Sequence, residues 1–456
     1  MKGISAGFGV RVESGSESLL SSAGASMLLA TAAVSGLSRA LSVALEPWRS
    51  PRAVHDPGKT VLDLAVAIAL GGDCLADVAV VRAQPELFGP VASDPTVSRL
   101  LDALSAEPET AIAAIRAARA SARARVWAHR SPVSATGQVI VDLDATLVGA
   151  HSEKEDATPS FKRGFGFHPM LAFVDHASDD GVAGTGEPLA AMLRPGNANA
   201  NNATDQIAVL DAALAQLPEQ ARSRVVVRGD AGSGVKDFLA HVHDLGLEFT
   251  VGMNIREPLL DALDQLPDQA WRHAIDADGE PRDGAQVAEL TRWLGPTYTG
   301  WPPGTRVIVR RERPHPGAQL RITDINGWRL TCFATNTKRW RLADLEIRHR
   351  LRARAEDRIR GLKDTGLTNL PLQGFGKNQI WVELAQLAYE LLTWTQTLAW
   401  HHQPARVWEP KRLRLRLLAV AGRVITTGRR RILRIHQRWP WADLVTGGHR
   451  RLAALT

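Results

Sequence analysis

Three acidic positions stand where a fold can put them to chemical use. Val139-Ile140-Val141 with Leu143 has the apolar density of a buried strand, and Asp142 and Asp144 close it. Ser223–Arg228, carrying Val225-Val226-Val227, is a second such run and leads into Gly229 and Asp230. A carboxylate at a strand end, followed by a glycine-rich loop (Ala231-Gly232-Ser233-Gly234) and a helix, is well placed to hold a divalent cation. Singly, each aspartate reads more simply as a cap or turn residue; two on strands of one sheet favour a site. The third position is Glu356. His349, Arg352, Glu356 and Lys363 have offsets of 0, 3, 7 and 14, which at helical pitch places them within roughly 60° of one another. A carboxylate flanked by bases on one helical stripe suits a phosphodiester, the acid holding a cation and the bases gripping phosphate oxygens. The plainer alternative is a solvated charge stripe, since Arg348, Arg350, Arg354, Arg358 and Arg360 crowd the same segment.

Val139–Val148 also fits a hydrophobic-D-x-D-x-T signature of haloacid-dehalogenase-like phosphohydrolases, in which Asp142 would be the nucleophile and Asp144 the acid/base. That chemistry calls for a later Gly-Asp-x-x-x-Asp pair, and Gly234 stands where its second aspartate belongs. His168, His241 and His243 read as structural histidines. Cys74 and Cys332 are too few and too far apart for a disulfide framework or a zinc site, which fits a reducing, cytoplasmic setting.

The elements that must position these residues read as α/β. The first fifteen or so residues have the composition of a frayed terminus, and Met27–Leu45 reads as a helix, too interrupted for a signal or anchor. Residues 1–130 form a helical region with segments Thr60–Leu70, Cys74–Arg82, Thr96–Leu104 and Pro108–His129. The third presents Thr96, Ser98 and Arg99, which fits a helix-turn-helix reader of DNA; a plain bundle fits too. Residues 131–256 hold the two strands above, Phe165–Val174 as a further strand, and helices Asp205–Leu217 and Val235–Leu245. Residues 257–340 are proline-punctuated and strand-like (Arg306–Arg310, Gln319–Ile325, Trp328–Ala334), a β-rich insertion. Its Trp271, Trp293, Trp301, Trp328 and Trp340 offer rings for stacking an unpaired base, although core packing is the commoner use. Residues 341–400 return to helix as Leu342–Lys363 and the apolar Gln379–Trp400, and 401–456 form a basic region in which Lys411–Trp439 reads as an amphipathic helix.

Length and charge agree with this layout. A chain of 456 residues has room for about three domains. The formal charge of +7 is unevenly spread: residues 401–456 carry 13 Lys and Arg against 2 Asp and Glu, while the remainder is slightly acidic. Positive charge gathered into one tail points to an anionic polymer, with Arg429, Arg430, Arg431 and Arg434 tracking its backbone. No apolar run is long enough to span a membrane, so no membrane partner is expected.

Four segments taken in order carry a resemblance: Val141-Asp142-Leu143-Asp144-Ala145-Thr146, Phe161 to Pro169 (FKRGFGFHP), Leu193-Arg194-Pro195-Gly196-Asn197, and Val227-Arg228-Gly229-Asp230-Ala231-Gly232-Ser233-Gly234. The chain resembles the DDE transposases of bacterial insertion sequences, the thirteen-eighty family of the piggyBac-related branch, from about Ala40 to Leu444. The resemblance implies a ribonuclease-H-like catalytic core interrupted by a β-rich insertion, with Asp144, Asp230 and Glu356 as catalytic triad and ligands of two Mg²⁺ ions, Mn²⁺ substituting. Asp142 remains an alternative first ligand. It implies binding of inverted-repeat ends, cleavage there and joining of a 3′-OH to target DNA. Lys162, Arg163, Arg352 and Lys363 would be phosphate contacts. His349 stands where the family's Y-x2-R-x3-E-x6-K motif has tyrosine, and as a further DNA contact its imidazole would donate a hydrogen bond to phosphate. The partners implied are double-stranded DNA and at least a second copy of the chain, in the cytoplasm at the nucleoid. A non-catalytic DNA-binding derivative is the remaining alternative.

Overall fold

Phe375–Ala399 carries large apolar residues on every side, and a helix of that kind must be enclosed by protein. In the computed structural model, which describes residues 19–177, 184–276, 278–295, 300–314, 317, 319, 324–428 and 430–455, every residue from Ile380 to Ala399 is buried. Helices Pro57–Ala69, Asp94–Ala106 and Pro108–His129 pack around it, as do Ser26–Val34 and Ala442–Ala453. The expected frayed terminus lies outside the described residues, and the expected helix Met27–Leu45 is two helices, Ser26–Val34 and Leu37–Ala44, at an angle of 66°. No single described helix is long and apolar enough to cross a membrane, and Met27, Leu28, Leu37 and Leu41 of this bent pair are fully buried in the core.

Two acids of the central helix, Glu383 and Glu390, are also buried. Helix Pro108–His129 answers them with arginines one turn apart: Arg116 Nε reaches Glu383 Oε1 at 3.1 Å, Arg119 Nε reaches Glu390 Oε2 at 2.8 Å, and Arg123 Nε reaches Glu187 Oε2 at 2.8 Å. Buried charges persist only when paired and hydrogen-bonded. The N-terminal helices are therefore fastened to the central helix and to the strand that carries Glu187, and a single hydrophobic cluster runs from Ala25 to Leu452.

The sheet that carries the acidic strand ends has nine strands: β1 (Val139–Ala145), β2 (Met170–Val174), β3 (Glu187–Met192), β4 (Val225–Gly229), β5 (Glu248–Met253), β6 (Arg272–Ile275), β7 (Pro281–Glu289), β8 (Arg306–Glu312) and β9 (Arg329–Thr335). Their spatial order is β6-β7-β8-β9-β5-β4-β1-β2-β3. β1, β4 and β5 are mutually parallel, and the other pairings are antiparallel. Residues 257–340 thus do not build a sheet of their own; β9 pairs along β5 (Ala334 opposite Val251) and the insertion's strands extend the central sheet. They keep a separate small core around Leu259, Leu290, Val309 and Cys332. Phe165–Val174 is broken at His168-Pro169, and most of Gln319–Ile325 lies outside the described residues.

Two helical expectations are corrected. Leu342–Lys363 is interrupted by a 3₁₀ turn at Leu351–Ala353, giving helices Leu342–Arg350 and Arg354–Leu362. Lys411–Trp439 is mostly not helical: after a short turn at Pro410–Leu413 and a π turn at Arg414–Leu418, it forms a hairpin of strands Gly422–Thr427 and Arg430–Ile435. Val424, Ile425, Thr426 and Thr427 on one strand and Ile432 and Ile435 on the other are β-branched, and Gly428 takes the positive φ (58°) of the turn; these features outweigh the basic periodicity. Leu19–Leu20 pairs with the hairpin's base.

Candidate active site

Asp144 and Asp230 lie at the carboxyl ends of adjacent parallel strands because Asp142 of β1 stands opposite Arg228 of β4, which brings both aspartates to one rim. The third acid arrives from far along the chain: Glu356 occupies the first turn of helix Arg354–Leu362, where the helix dipole favours an anion. All three line one cavity of about 500 Å³, together with Lys162, His168 and Arg352. Arg352 bridges two of them, with Nη1 3.6 Å from Asp144 Oδ2 and Nη2 3.7 Å from Glu356 Oε1. Asp144 Oδ1 accepts from its neighbour Ala145 N at 2.8 Å, and Asp230 Oδ1 from Gly232 N at 2.8 Å, so both carboxylates are held by local backbone.

Burial pushes the Asp144 carboxyl up to about 6, and the nearby Asp230 and Glu356 push it the same way against the pull of Arg352. Crowded oxygen donors of one charge are what a hard divalent cation satisfies. By donor type, three carboxylates on one cavity suit a divalent cation. The tightest acid and thiol group among the described residues lies elsewhere: Asp73, Cys74 and Asp77 have ligand atoms within 4.8 Å of one another. Asp77 Oδ2 there accepts from the backbone of Asp73 and Cys74, which explains the cluster as a local cap.

Asp142, two residues before Asp144, has a different fate. It is fully buried and accepts from Arg228 Nε at 2.5 Å and Nη2 at 2.8 Å, and from Arg358. Asp175 completes the group, bound by Arg228 Nη2 at 3.0 Å and by Arg358. Asp142 does not line the cavity and has no free oxygen for a nucleophilic role.

The other expected site residues divide by location. Lys162 and Arg163 are exposed on the loop before β2, and Lys162 reaches the cavity. Lys363 Nζ donates to Leu147 O at 3.0 Å, and burial together with Lys162 lowers its pKa, so it braces the segment after β1 near the rim. His349 turns away: its ring stacks on Phe333 with centroids 4.5 Å apart, and Nδ1 meets Thr250 Oγ1 at 3.1 Å. Burial pushes its pKa down to about 3, with Arg352 the next cause, so the imidazole is neutral. Arg99 is exposed on helix Asp94–Ala106 beside a separate cavity lined by Trp48, Arg52 and His55. Arg430, Arg431 and Arg434 are exposed on the C-terminal hairpin, and Arg429 lies outside the described residues.

Other residues at or behind the cavity carry no signal of a site role in the sequence. Phe161, 69% exposed, lies at the rim with Lys162 over its ring, and His168 Nδ1 is paired with Ala198 O at 2.9 Å. Gln206 Nε2 donates to Ala200 O (2.7 Å) and Gly232 O (2.8 Å), tying the loop after β3 to the Asp230 loop. Such a link joins segments that only the fold brings together. Gly252 on β5 is equally indirect: a Cβ there would lie 2.8 Å from Ala231 N and 3.0 Å from the Asp230 carbonyl carbon, so the missing side chain lets the Asp230 turn settle on the sheet.

The model of the family described as "Transposase DDE domain group 1" matches residues 4–456. No curated protein matches. Among solved structures, the cryo-EM structure of a piggyBac transposase synaptic complex with hairpin DNA aligns with 86% of this chain and 79% of its own, at 7% identity and a TM-score of 0.41, too distant to bear on residues or mechanism. The family match spans nearly the whole sequence, acidic strand ends and later helix included, and the chain belongs to the transposase DDE domain group 1 family.

Proposed function

We propose that this transposase cleaves the terminal inverted repeats of an insertion sequence and joins the freed 3′-OH to target DNA, using Asp144, Asp230 and Glu356 as its catalytic acids. The observation that carries the reading is the convergence of three carboxylates, from segments more than 200 residues apart in sequence at the extremes, on one cavity with Arg352 and Lys162. The sheet unit β3-β2-β1-β4-β5, with acids at the ends of its adjacent parallel strands, supports a ribonuclease-H-like core.

Asp144, Asp230 and Glu356 would hold two divalent ions. When bound, those ions supply Lewis acidity at the attacking and leaving oxygens. The chain's own groups do the rest. Arg352, shared between Asp144 and Glu356, has a guanidinium fork suited to a phosphate oxygen at the same rim. Lys162 extends the positive rim along the strand, and Lys363 keeps Leu147 and the end of β1 in place. Water attacks in the first step and the liberated 3′ hydroxyl in the second, in the same cavity. Thr96, Ser98 and Arg99 are candidates for reading the repeat, and two copies of the chain must meet to pair two ends.

The phosphohydrolase reading loses its nucleophile, because Asp142 is sealed among arginines. The test is cleavage and joining of a labelled duplex carrying the flanking repeats, with Mg²⁺ or Mn²⁺, by wild type, Asp230→Ala and Glu356→Ala. Metal-dependent nicking by wild type, with both variants binding but not cutting, is the expected result. Binding without chemistry by wild type would instead identify a non-catalytic DNA-binding protein.

A further inference from the structure

We infer that the C-terminal hairpin, Gly422–Thr427 and Arg430–Ile435, is a β-ribbon that enters a groove of duplex DNA. The registers sort its side chains into two faces, since residues directly opposite share a face. Val424, Leu433 and Ile435 point inward and pack with Leu20, Leu87 and Trp439. The outward face carries Arg423 opposite Arg434, Ile425 opposite Ile432, and Thr427 opposite Arg430. All three arginines are exposed, and Ile432 is 40% exposed.

Like charges directly across an antiparallel pair destabilise it, and no carboxylate is paired with Arg423, Arg430 or Arg434 among the described residues. A sheet face that sets Arg against Arg with isoleucines between is poorly designed for water. It suits a duplex, whose phosphates take the arginines at either end while the aliphatic pair meets base edges such as thymine methyls. The dimensions agree: two strands about 5 Å apart fit the roughly 12 Å major groove. The ribbon is also anchored, because Arg431 Nη2 donates to Glu86 O at 2.6 Å, which fixes its tip to the N-terminal helical region.

The inference takes duplex DNA as ligand from the proposed function, yet its test separates the two. Full-length protein is titrated onto a labelled duplex carrying an element end, and onto a scrambled duplex, over a range of salt. In Arg423→Gln/Arg430→Gln/Arg434→Gln, affinity at about 0.1 M salt should fall at least tenfold and the log–log salt slope should drop by roughly 2 to 3. The melting temperature should hold or rise, because like-charge neighbours are removed; a merely structural role predicts a fall. Ile425→Ser/Ile432→Ser should keep the salt slope and lose preference for the element end. A triple variant that binds both duplexes with wild-type affinity and slope overturns the inference, as does wild-type protein that prefers phosphatidylserine vesicles to duplex. Wild type that binds through the ribbon and never cuts would leave the inference standing and remove the catalytic reading.

Discussion

Asp142 and Asp144 are two residues apart on one strand, and replacing each by asparagine should move stability in opposite directions. Asp142→Asn removes a charge from a fully buried site and turns an amide toward Arg228 and Arg358, leaving guanidinium donors facing a donor. Breaking a buried ion pair from one side costs about 3–5 kcal/mol. Unfolding entropy of about 2.1 cal/mol/K per residue gives roughly 1 kcal/mol/K for this chain, so the melting temperature should fall by about 3–5 °C. Asp144→Asn does the reverse in metal-free protein. Its carboxyl holds a proton up to about pH 6 when folded but only to its ordinary 3.8 when unfolded, so stability is lost as pH rises through that window. A shift of about two units corresponds to roughly 3 kcal/mol. Asparagine escapes that loss, so at pH 7.5 the variant should melt about 3 °C higher than wild type, with the gain gone by about pH 4. Scanning calorimetry at pH 4, 6 and 7.5 in a chelator measures both. If the two variants shift in the same direction at pH 7.5, the division between a structural and a site aspartate is wrong.

Other outcomes follow from the same geometry. Added Mg²⁺ should raise the melting temperature of wild type but not of Asp144→Asn or Asp230→Asn, as ligand linkage requires; an equal rise in all three would place the metal elsewhere. His349 is depressed to about 3 in the folded chain, so its contribution is present above pH 6.5 and is lost as pH falls toward 3. His349→Phe should therefore flatten the acid limb of the stability profile, and an unchanged limb in acid-melt data counts against the stacked, neutral ring. Gly252→Ala presses a methyl into the Asp230 turn and should cost about 1–3 kcal/mol while depressing cleavage more than DNA binding. Equal loss of binding and cleavage would show that the turn's position is not what the glycine protects.

Much of the site was legible because its signals are local. Strand runs ending in Asp144 and Asp230 are written in consecutive apolar residues, and Pro108–His129 has its first-turn proline and its length in plain view. Helix spacing also placed Arg352 with Glu356, a relation that survives the 3₁₀ break between them. His349 did not stay with them, because the break and the neighbouring Phe333 give its ring an apolar seat that no helical wheel contains.

Capping, strand apolarity and helical spacing act over a few residues, so the elements and the residues standing at their ends were readable from the chain alone. Long-range packing chose which of two neighbouring aspartates faces the cavity, through arginines at positions 228 and 358 that reach Asp142. It likewise buried Arg119 and Arg123 of an outwardly polar helix against Glu390, and joined the insertion's strands to the main sheet. It also turned a basic tail into a ribbon whose inner face needed Leu20 and Leu87 to pack against. Each of these is a pairing between distant segments, and its free energy exists only once the chain has brought the partners together.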